Sequence, residues 1–356
     1  MASRIAIAMS GGVDSMISAY LLKQTCRDMV GIHFITGFEN EGAPPGPDGV
    51  PEPLARASKE LDLPIEVVNL QEEFHTHVVA PFVDTYLKGR TPNPCMVCNR
   101  TVKFGALLDA ARNRFNAEKI ATGHYARVRP DSAGRFRLVK GADLKKDQSY
   151  FLGFLSQAQL GAAVFPLGEF TKDQIREKAV ELGLDKYTKP ESQETCFIAD
   201  DRYRDFLQNQ PGFPSRPGDV VNVQGEVIGR HQGVFAFTIG QRRGINIPAS
   251  EAYYVQAIDP AANRITVCFK SGLLSRGVHV GGVNWIVPPQ KNAFEAATRI
   301  RYRHKEAASA IEVLEDGTVN VWFDEPQSAV TPGQGAVFYQ EDEVLGAGWI
   351  DKPLNQ

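Results

Sequence analysis

The sequence predicts an α/β N-terminal domain with a parallel sheet, then a small, mostly β central domain and a C-terminal antiparallel β-barrel. In the first half, short apolar runs alternate with longer stretches of helical period, which is typical of strands buried on both faces by helices. From about Pro211 onward, the pattern changes to short alternating strands separated by glycine turns. The last of these strands resemble a small closed barrel.

The individual elements follow from the same patterns. The predicted strands of the first half are "RIAIAMS", "MVGIHFI", "PIEVVNL" and "KIATGHY". The predicted helices are "DSMISAYLLKQ", "PLARASKELD", "HTHVVAPFVDTYL" and "TVKFGALLDAARNRF", and the prolines and glycines of "ENEGAPPGPDGVPEP" predict a loop. Because 356 residues exceed what one core usually supports, we expect domains at 1–205, 206–275 and 276–356.

Composition limits the class of protein. A net charge of −3 with 43% hydrophobic residues indicates a soluble globular protein, so a nucleic-acid surface must gather its basic residues locally. No apolar run approaches the roughly 18 residues that cross a bilayer, and the first strand begins too early for a signal peptide. We therefore expect a cytoplasmic protein with no membrane partner, whose five cysteines serve chemistry or packing.

The stretch "AMSGGVDS" joins the first predicted strand to the first predicted helix. Such a turn exposes backbone N–H groups at the positive end of the helix dipole, where a phosphate is best held. Gly11 and Gly12 allow close approach, Ser10 and Ser15 can donate hydroxyls, and Asp14 suits a magnesium ion that bridges it to phosphates. The alternative is a tight turn with a serine cap.

Six residues of this stretch, "SGGVDS", resemble the signature of the PP-loop ATP pyrophosphatases, which adenylate a carbonyl oxygen and release pyrophosphate. Five further stretches occur in order: "GRTPNPCMVCNRTVKF", "ATGHYAR", "KKDQSYFL", "ESQETCFI" and "TIGQRRG". With them the chain resembles the tRNA-specific 2-thiouridylases (MnmA/TrmU family) from Ile5 to about Ile350. The resemblance implies an adenine nucleotide alpha hydrolase-like first domain and ATP-dependent replacement of the carbon-2 oxygen of the wobble uridine by sulfur. It also implies ATP and Mg²⁺ as cofactors, with tRNA and an upstream persulfide or sulfide donor protein as partners.

The resemblance assigns an ATP site to the glycine turn and to two later strands. Phe34 stands where the family usually has a methionine against the adenine; an aromatic ring can stack there, and core packing is the rival explanation. Gly123, at a predicted strand end, would let the nucleotide lie against the backbone. The implied ATP-binding residues are Ala8, Met9, Ser10, Gly11, Gly12, Val13, Asp14, Ser15, Phe34 and Gly123.

Two cysteines carry the sulfur chemistry that the resemblance implies. Cys196 would hold a persulfide and Cys98 would be its nucleophilic partner, since a thiolate is nucleophilic and can release sulfur by forming a disulfide. Cys95 departs from the family pattern, which has an aspartate there, so the acid/base role of that aspartate cannot be transferred. Cys95, Cys98 and Cys196 also match the ligands of a [4Fe–4S] cluster in related thiolation enzymes. A three-cysteine zinc site, and a Cys95 that is a bystander or a resolving thiol, stay open.

Contacts to tRNA are also implied, and "RIRYRHK" adds a local basic cluster. On a strand, Arg299, Arg301, Arg303 and Lys305 share one face that could grip phosphates, with Tyr302 available to stack on a base. The alternative is an edge strand protected by charge. The implied target-base and tRNA residues are Asn93, Pro94, Cys95, His124, Lys146, Asp147, Gln148, Arg301, Tyr302 and Gln334.

Two other classes of function stay open. The first is another PP-loop adenylating enzyme, such as an amidotransferase-type synthetase, although no glutaminase segment is visible. The second is a non-enzymatic RNA-binding protein that senses through a cysteine-ligated iron–sulfur cluster. Release of pyrophosphate that depends on tRNA separates thiolation from both.

Overall fold

The computed structural model describes residues 4–39, 50–185, 195–198, 203–211, 213 and 216–355. The chain divides into two compact units that interleave along the sequence. The first comprises residues 1–78, 95–197 and 342–344, and the second comprises 79–94, 198–341 and 345–356. The domain bounds at 1–205, 206–275 and 276–356 remain a prediction.

The first unit contains the parallel sheet that the sequence predicts. Its order is β3-β2-β1-β4-β7, and every pairing is parallel. Strand β1 lies between β2 and β4, so the later strands of the sheet lie on both sides of it. The carboxyl end of β1 is therefore a switch point of the strand order, and ligands bind at such points in parallel sheets. The strands are β1 (Arg4–Ala8), β2 (Met29–Ile35), β3 (Ile65–Asn69), β4 (Ala117–Ala121), β5 (Ala126–Pro130), β6 (Phe136–Lys140) and β7 (Ala163–Val164). Strands β5 and β6 form an antiparallel hairpin, and β6 also pairs with Glu343 and Val344.

Helices cover this sheet and continue into the second unit. Their bounds are α1 (Val13–Lys23), α2 (Glu52–Leu61), α3 (Gln71–Phe74), α4 (Ala80–Leu87), α5 (Pro94–Cys98), α6 (Leu107–Phe115), α7 (Gln157–Ala162), α8 (Lys172–Glu181) and α9 (Tyr203–Gln208). Two segments are π-helical, His75–Val79 between α3 and α4 and Asn99–Ala106 between α5 and α6. The helix predicted from Thr101 therefore begins earlier, at Pro94, because proline suits the first helical position.

The predicted loop at residues 39–53 is described only in part, since 40–49 lie outside the described residues. Its end is helical rather than irregular: α2 begins at Glu52 with Pro53 in its first turn, where a missing N–H costs nothing. Beneath the helices, Met16 and Ile17 of α1 pack with Ile7 and Met9, all fully buried. This packing seats the glycine turn on the sheet.

The second unit is built from β strands, as predicted. A four-stranded sheet has the order β10-β11-β8-β9, and its core includes Val220, Val255 and Ile265. Six neighbouring strands, in the order β12-β15-β14-β13-β16-β17, close into a barrel through the pairing of β12 with β17, which confirms the predicted barrel. The strands are β8 (Gly218–Val221), β9 (Val227–His231), β10 (Tyr254–Asp259), β11 (Arg264–Cys268), β12 (Leu274–Trp285), β13 (Ala293–Arg299), β14 (Ala307–Val313), β15 (Val319–Ser328), β16 (Gly335–Gln340) and β17 (Glu343–Leu354).

The prediction of a strand over "RIRYRHK" is wrong. Strand β13 ends at Arg299, and its partner β14 begins at Ala307, because the two strands form a hairpin in which Thr298 pairs with Ala307. Residues 300–306 are the connection, with the amide of His304 donating to the carbonyl of Arg301 at 3.0 Å. The basic side chains therefore do not share one strand face.

None of the helices in the described ranges is both long enough and apolar enough to cross a bilayer.

Candidate active site

The glycine turn after β1 has the backbone geometry that its residues predict. Gly11 has φ +82°, a conformation that favours glycine, and Gly12 is the N-cap residue of α1. The hydroxyl of Ser15 donates to the carbonyl of Gly12 at 2.8 Å, and the hydroxyl of Ser10 lies 3.3 Å from that of Ser15. Both serine hydroxyls therefore make contacts within the turn. The groups that can bind an anion are then the backbone N–H groups at the start of α1.

The other residues implied for ATP binding lie around this turn. Ala8 ends β1 and Met9 is fully buried, with its carbonyl 2.9 Å from Nδ1 of His33. Val13 is half-buried at the start of α1, and Phe34 is half-buried on β2. A Cβ added at Gly123 would lie 3.0 Å from the carbonyl carbon of Asp14. Glycine at 123 is thus explained by close packing of the segment after β4 against α1, independently of a nucleotide.

Asp14 is the most strongly engaged residue of the turn. The ammonium of Lys172 lies 2.8 Å from one carboxylate oxygen of Asp14 and 2.9 Å from the other, and the hydroxyl of Tyr125 donates to it at 2.9 Å. The Lys172 side chain is 4% exposed and that of Asp14 is 31% exposed. With both oxygens facing an ammonium, this arrangement does not fit Asp14 as a magnesium ligand.

Lys172 was not among the site residues that the sequence predicts. It is the first residue of α8, whose N-cap Thr171 forms a capping box with Gln174. A cation at a helix N-terminus is disfavoured by the dipole, so a lysine at this position is a signal that another interaction compensates. Asp14 supplies that interaction.

The two cysteines of "CMVC" lie at the start of a continuous helical run. The run begins with α5, becomes π-helical at Asn99–Ala106 and ends with α6 at Phe115. Cys95 and Cys98 are three residues apart in α5, and such residues share a helix face.

Cys196 lies close to this pair, although it is distant in sequence. Burial, together with the charge of Cys196, raises the pKa of Cys95 to about 11. Burial likewise raises the pKa of Cys98 to about 12, with Cys196 and Cys95 contributing in the same direction. Burial also raises the pKa of Cys196. Cys98 is buried, while Cys95 and Cys196 keep exposed surface even though surrounding protein desolvates their thiols. All three thiols are protonated in the resting protein at neutral pH.

Lys103 is a second functional residue that the sequence analysis missed. Its charge lowers the pKa of Cys95, Cys98 and Cys196, which makes it the cation common to the three thiols. Lys103 follows Cys98 by five residues, which in an α-helix would place it on another face. A π-helix bonds residue i to i+5, so the π-helical turn returns Lys103 to the side of Cys98.

The π-helical segment is held by a specific side chain. The amide of Gln159 donates to the carbonyls of Arg100 at 2.7 Å and Phe104 at 2.9 Å. Gly105 fits there because a Cβ would lie only 3.2 Å from the carbonyl oxygen of Arg100. These contacts tie two carbonyls of the π-helical segment to Gln159 of α7.

Phe197 fixes the segment that carries Cys196. Its ring centroid lies 5.6 Å from those of both Phe38 and Phe74, and the side chain is 6% exposed. Aromatic pairs at this separation are attractive. The packing of Phe197 therefore anchors the described segment 195–198, which contains Cys196.

The described part of the chain has no group of three or more His, Cys, Asp or Glu side chains arranged to hold a metal ion. As placed, Cys95, Cys98 and Cys196 do not fit a three-cysteine cluster or zinc site. Their role as [4Fe–4S] ligands stays a prediction, and no chemical step below passes through a cluster.

His124 is buried beside the cysteine helix. Its Nδ1 lies 2.7 Å from the hydroxyl of Thr122, and its ring packs between Phe104 and Phe165. Burial lowers the pKa of His124 well below its usual range, and the charge of Lys103 lowers it further. The imidazole is therefore neutral, which leaves hydrogen bonding rather than charge for any contact with RNA.

The implied tRNA contact at residues 146–148 needs correction. Asp147 is 2% exposed, and its carboxylate accepts hydrogen bonds from the amides of Gly141 and Ser149 at 3.1 and 3.0 Å. The amide oxygen of Gln148 accepts from the amide of Tyr125 at 3.0 Å. The side chains of Asp147 and Gln148 thus bond to backbone amides of the protein itself. Lys146 is the cation among the three residues, and its side chain is half-buried.

The remaining predicted residues lie in the second unit. Asn93 is buried, and Pro94 begins α5. Arg301 is exposed and Tyr302 is half-buried in the loop between β13 and β14. The amide of Gln334 donates to the carbonyls of Thr91 and Pro92 at 3.1 and 2.9 Å, so it serves an internal contact.

Comparison with known proteins agrees with the order of these parts. Residues 3–200 match the family described as tRNA methyl transferase HUP domain, 204–269 its PRC-barrel domain, and 275–350 the aminomethyltransferase beta-barrel domain. A tRNA-specific 2-thiouridylase MnmA from Desulfosudis oleivorans is 45% identical over 97% of this chain and 94% of its own length. This chain belongs to the tRNA-specific 2-thiouridylase family. The family member from Syntrophotalea carbinolica is 46% identical over 97% of this chain and 98% of its own length.

One solved structure shows how far the likeness extends outside the family. The U34-tRNA thiolase NcsA from Methanococcus maripaludis with its [4Fe-4S] cluster is 20% identical, with a TM-score of 0.33, over 59% of this chain and 67% of that one. A likeness of this extent says nothing about the ligands of the present cysteines.

Proposed function

We propose that this protein is an ATP-dependent sulfurtransferase that converts the wobble uridine of tRNA to 2-thiouridine. The observation that carries the proposal is that Cys98 and Cys196, distant in sequence, lie within electrostatic range of each other in the unit that holds the glycine turn. Membership of the thiouridylase family supports the reaction and the tRNA substrate. The amidotransferase and RNA-sensor alternatives are not favoured, because neither accounts for this family membership.

The first step activates the uracil carbonyl. The phosphates of ATP bind at the start of α1, where backbone N–H groups and the helix dipole favour anions. The oxygen on carbon 2 attacks the α-phosphorus, and pyrophosphate leaves. Mg²⁺ bound with ATP would offset phosphate charge. Lys172 neutralises Asp14, so that its carboxylate does not repel the phosphates.

The second step transfers sulfur. The terminal sulfur of a Cys196 persulfide attacks carbon 2, and the bond from carbon to the AMP oxygen breaks. The Cys98 thiolate then attacks the Sγ of Cys196, which breaks the sulfur–sulfur bond, leaves 2-thiouridine and forms a Cys98–Cys196 disulfide. A dithiol reductant restores both thiols, and a persulfide donor protein reloads Cys196.

The substrate must meet these groups outside its stacked conformation. A wobble base has to be flipped out before a pocket enzyme can reach carbon 2, and Asn93 precedes the cysteine helix in the segment that would receive it. Exposed Arg301 and Arg303 can bind phosphates of the tRNA. We place this activity in the cytoplasm, where tRNA is found.

The test is reconstitution with ATP, Mg²⁺, unmodified tRNA and a persulfide donor, with nucleosides analysed by mass spectrometry. We expect 2-thiouridine together with AMP and pyrophosphate release that depends on tRNA. Cys98→Ala and Cys196→Ala should each abolish thiolation while tRNA binding is retained, and Cys268→Ala is the matched control because that buried thiol lies on β11.

Full thiolation by either active-site variant contradicts the assignment of the cysteines. Pyrophosphate release without any thiolated product contradicts the sulfur transfer. The iron and sulfide content of anaerobically purified protein tests for a cluster. Stoichiometric iron that is lost in Cys95→Ala would favour a cluster mechanism over the persulfide route, whereas active, iron-free protein would support the persulfide route.

A further inference from the structure

The segment between α4 and α5 is fastened to the barrel. Residues 79–94 belong to the second unit, although the sequence on both sides belongs to the first. The amide of Thr91 donates to the carbonyl of Pro332 at 2.9 Å. In return, Nε2 of Gln334 donates to the carbonyl oxygens of Thr91 at 3.1 Å and Pro92 at 2.9 Å. The turn before β16 therefore holds two consecutive peptide groups.

Arg90 extends this fastening to β17. Its guanidinium donates to the carbonyls of Ile350 and Asp351 at 3.2 and 3.1 Å and to the carboxylate of Asp351 at 2.8 Å. Gly333 has φ +92°, and a Cβ there would lie 2.8 Å from the carbonyl oxygen of Thr91. The backbones approach so closely that only glycine fits.

A primary amide suits this position chemically. Its NH₂ group offers two donors, one for each of the two carbonyls, which no hydroxyl or carboxylate can match. Pro92 and Pro94 flank Asn93 and restrict its backbone on both sides. The position of the Thr91 and Pro92 peptides therefore largely determines the position of Asn93.

We propose that Gln334 is a positioning residue that fixes Asn93 for the target base through the Thr91 and Pro92 peptides, rather than a residue that supplies tRNA affinity. This inference rests on the proposed function, and it replaces the tRNA contact that family resemblance implies for Gln334. Misplacement of a positioning group by about 1 Å can cost about a hundredfold in rate. The barrel then contributes to the rate of thiolation as well as to tRNA binding.

The test separates rate from affinity. Gln334→Met keeps the side-chain length and removes both donors, so we expect the thiolation rate at saturating tRNA to fall about tenfold or more while the Kd for tRNA stays within about twofold. Asp351→Asn weakens the Arg90 contact and removes a negative charge, so the rate should fall while tRNA binding is unchanged or tighter. Gln327→Met is the control, because that amide donates to the carbonyl of Glu325 on β15, outside this fastening.

Hydrogen exchange supplies a readout that does not need activity. The peptide covering residues 88–95 should exchange faster in Gln334→Met than in wild type, with the barrel strands unchanged. A weakened tRNA Kd with an unchanged rate at saturation would overturn the proposal, and so would unchanged exchange at 88–95. If wild-type protein makes no 2-thiouridine, the proposed function is refuted instead. The exchange result would still show whether Gln334 holds the Thr91 and Pro92 peptides in place.

Discussion

The ammonium of Lys172 lies 2.8 and 2.9 Å from the two carboxylate oxygens of Asp14. An acidic residue in the first turn of α1 would otherwise add negative charge where phosphates bind. Because Lys172 is almost fully buried, the pair is held in place rather than formed transiently. The glycine turn is thus built around an internal ion pair, and its chemistry depends on a residue at the start of α8.

Replacement of Lys172 by methionine should destabilise the protein and weaken ATP binding. The change leaves the Asp14 carboxylate without its cation, for which we expect a loss of about 2 kcal/mol, discounted from values for fully buried pairs because Asp14 retains solvent contact. Denaturant unfolding and the KM for ATP measure the two effects. The double variant Asp14→Asn/Lys172→Met should recover most of the stability; a single variant as stable as wild type would show that the pair contributes nothing.

Lys103 should govern the reactivity of Cys98. The pKa of Cys98 is raised to about 12, so its thiolate fraction and alkylation rate should climb about tenfold per pH unit between pH 7 and 11. Lys103→Met removes a cation that lowers this pKa, so alkylation by iodoacetamide should slow about tenfold at each pH, and Lys103→Arg should restore it. Alkylation of Cys26 in the same samples is the internal control. Equal Cys98 rates in all three proteins would rule out this role.

Phe197 should control how readily Cys196 reaches Cys98. Phe197→Ala removes the ring that packs on Phe38 and Phe74, so diamide should form the Cys98–Cys196 disulfide several-fold more slowly. Peptide mapping by mass spectrometry measures the rate. Phe269→Ala, which loses a stacked contact with Tyr253 in the second unit, is the matched control and should behave as wild type. An unchanged rate in Phe197→Ala would show that another contact places Cys196.

Burial of neutral His124 should make the protein sensitive to acid. Its folded pKa lies well below the unfolded value of about 6.5, so between these values the unfolded state binds the extra proton. Stability should therefore fall as pH drops below about 6.5, by up to about 1.4 kcal/mol per pH unit. His124→Gln keeps a hydrogen-bonding group without the titration and should lose less stability between pH 7 and 5, whereas exposed His77→Gln should match wild type. Parallel pH profiles for all three would contradict the assignment.

Much of the fold could be predicted because it depends on hydrophobic periodicity. The buried strands β1 to β4 and the alternating strands of the barrel bury whole faces, so their patterns are readable locally. The glycine turn was also readable, because Gly11 requires a backbone conformation that few residues adopt. That Cys196 lies within electrostatic range of Cys98 was predictable only through the family motifs, because nothing in the local pattern around either cysteine indicates the other.

The residues that sequence analysis missed act through tertiary geometry. Lys103 joins the cysteines only because the helix is π-helical there, and helical period assigns it to another face. Lys172 acts on Asp14, far along the chain, and Gln334, which was expected to contact tRNA, donates to Thr91 instead; single-sequence patterns carry no such distance information. The strand predicted through Arg301 failed because alternation continued across a hairpin connection that only the pairing of β13 with β14 reveals.

The π-helical segment also limits how the gene for this protein can change in length. Each residue of an α-helix turns the chain by about 100°, so deleting one residue between Asn99 and Ala106 would rotate Cys95 and Cys98 by roughly that angle relative to α6. Single-codon deletions or insertions here should therefore be far more damaging than a substitution at exposed Arg100 within the segment.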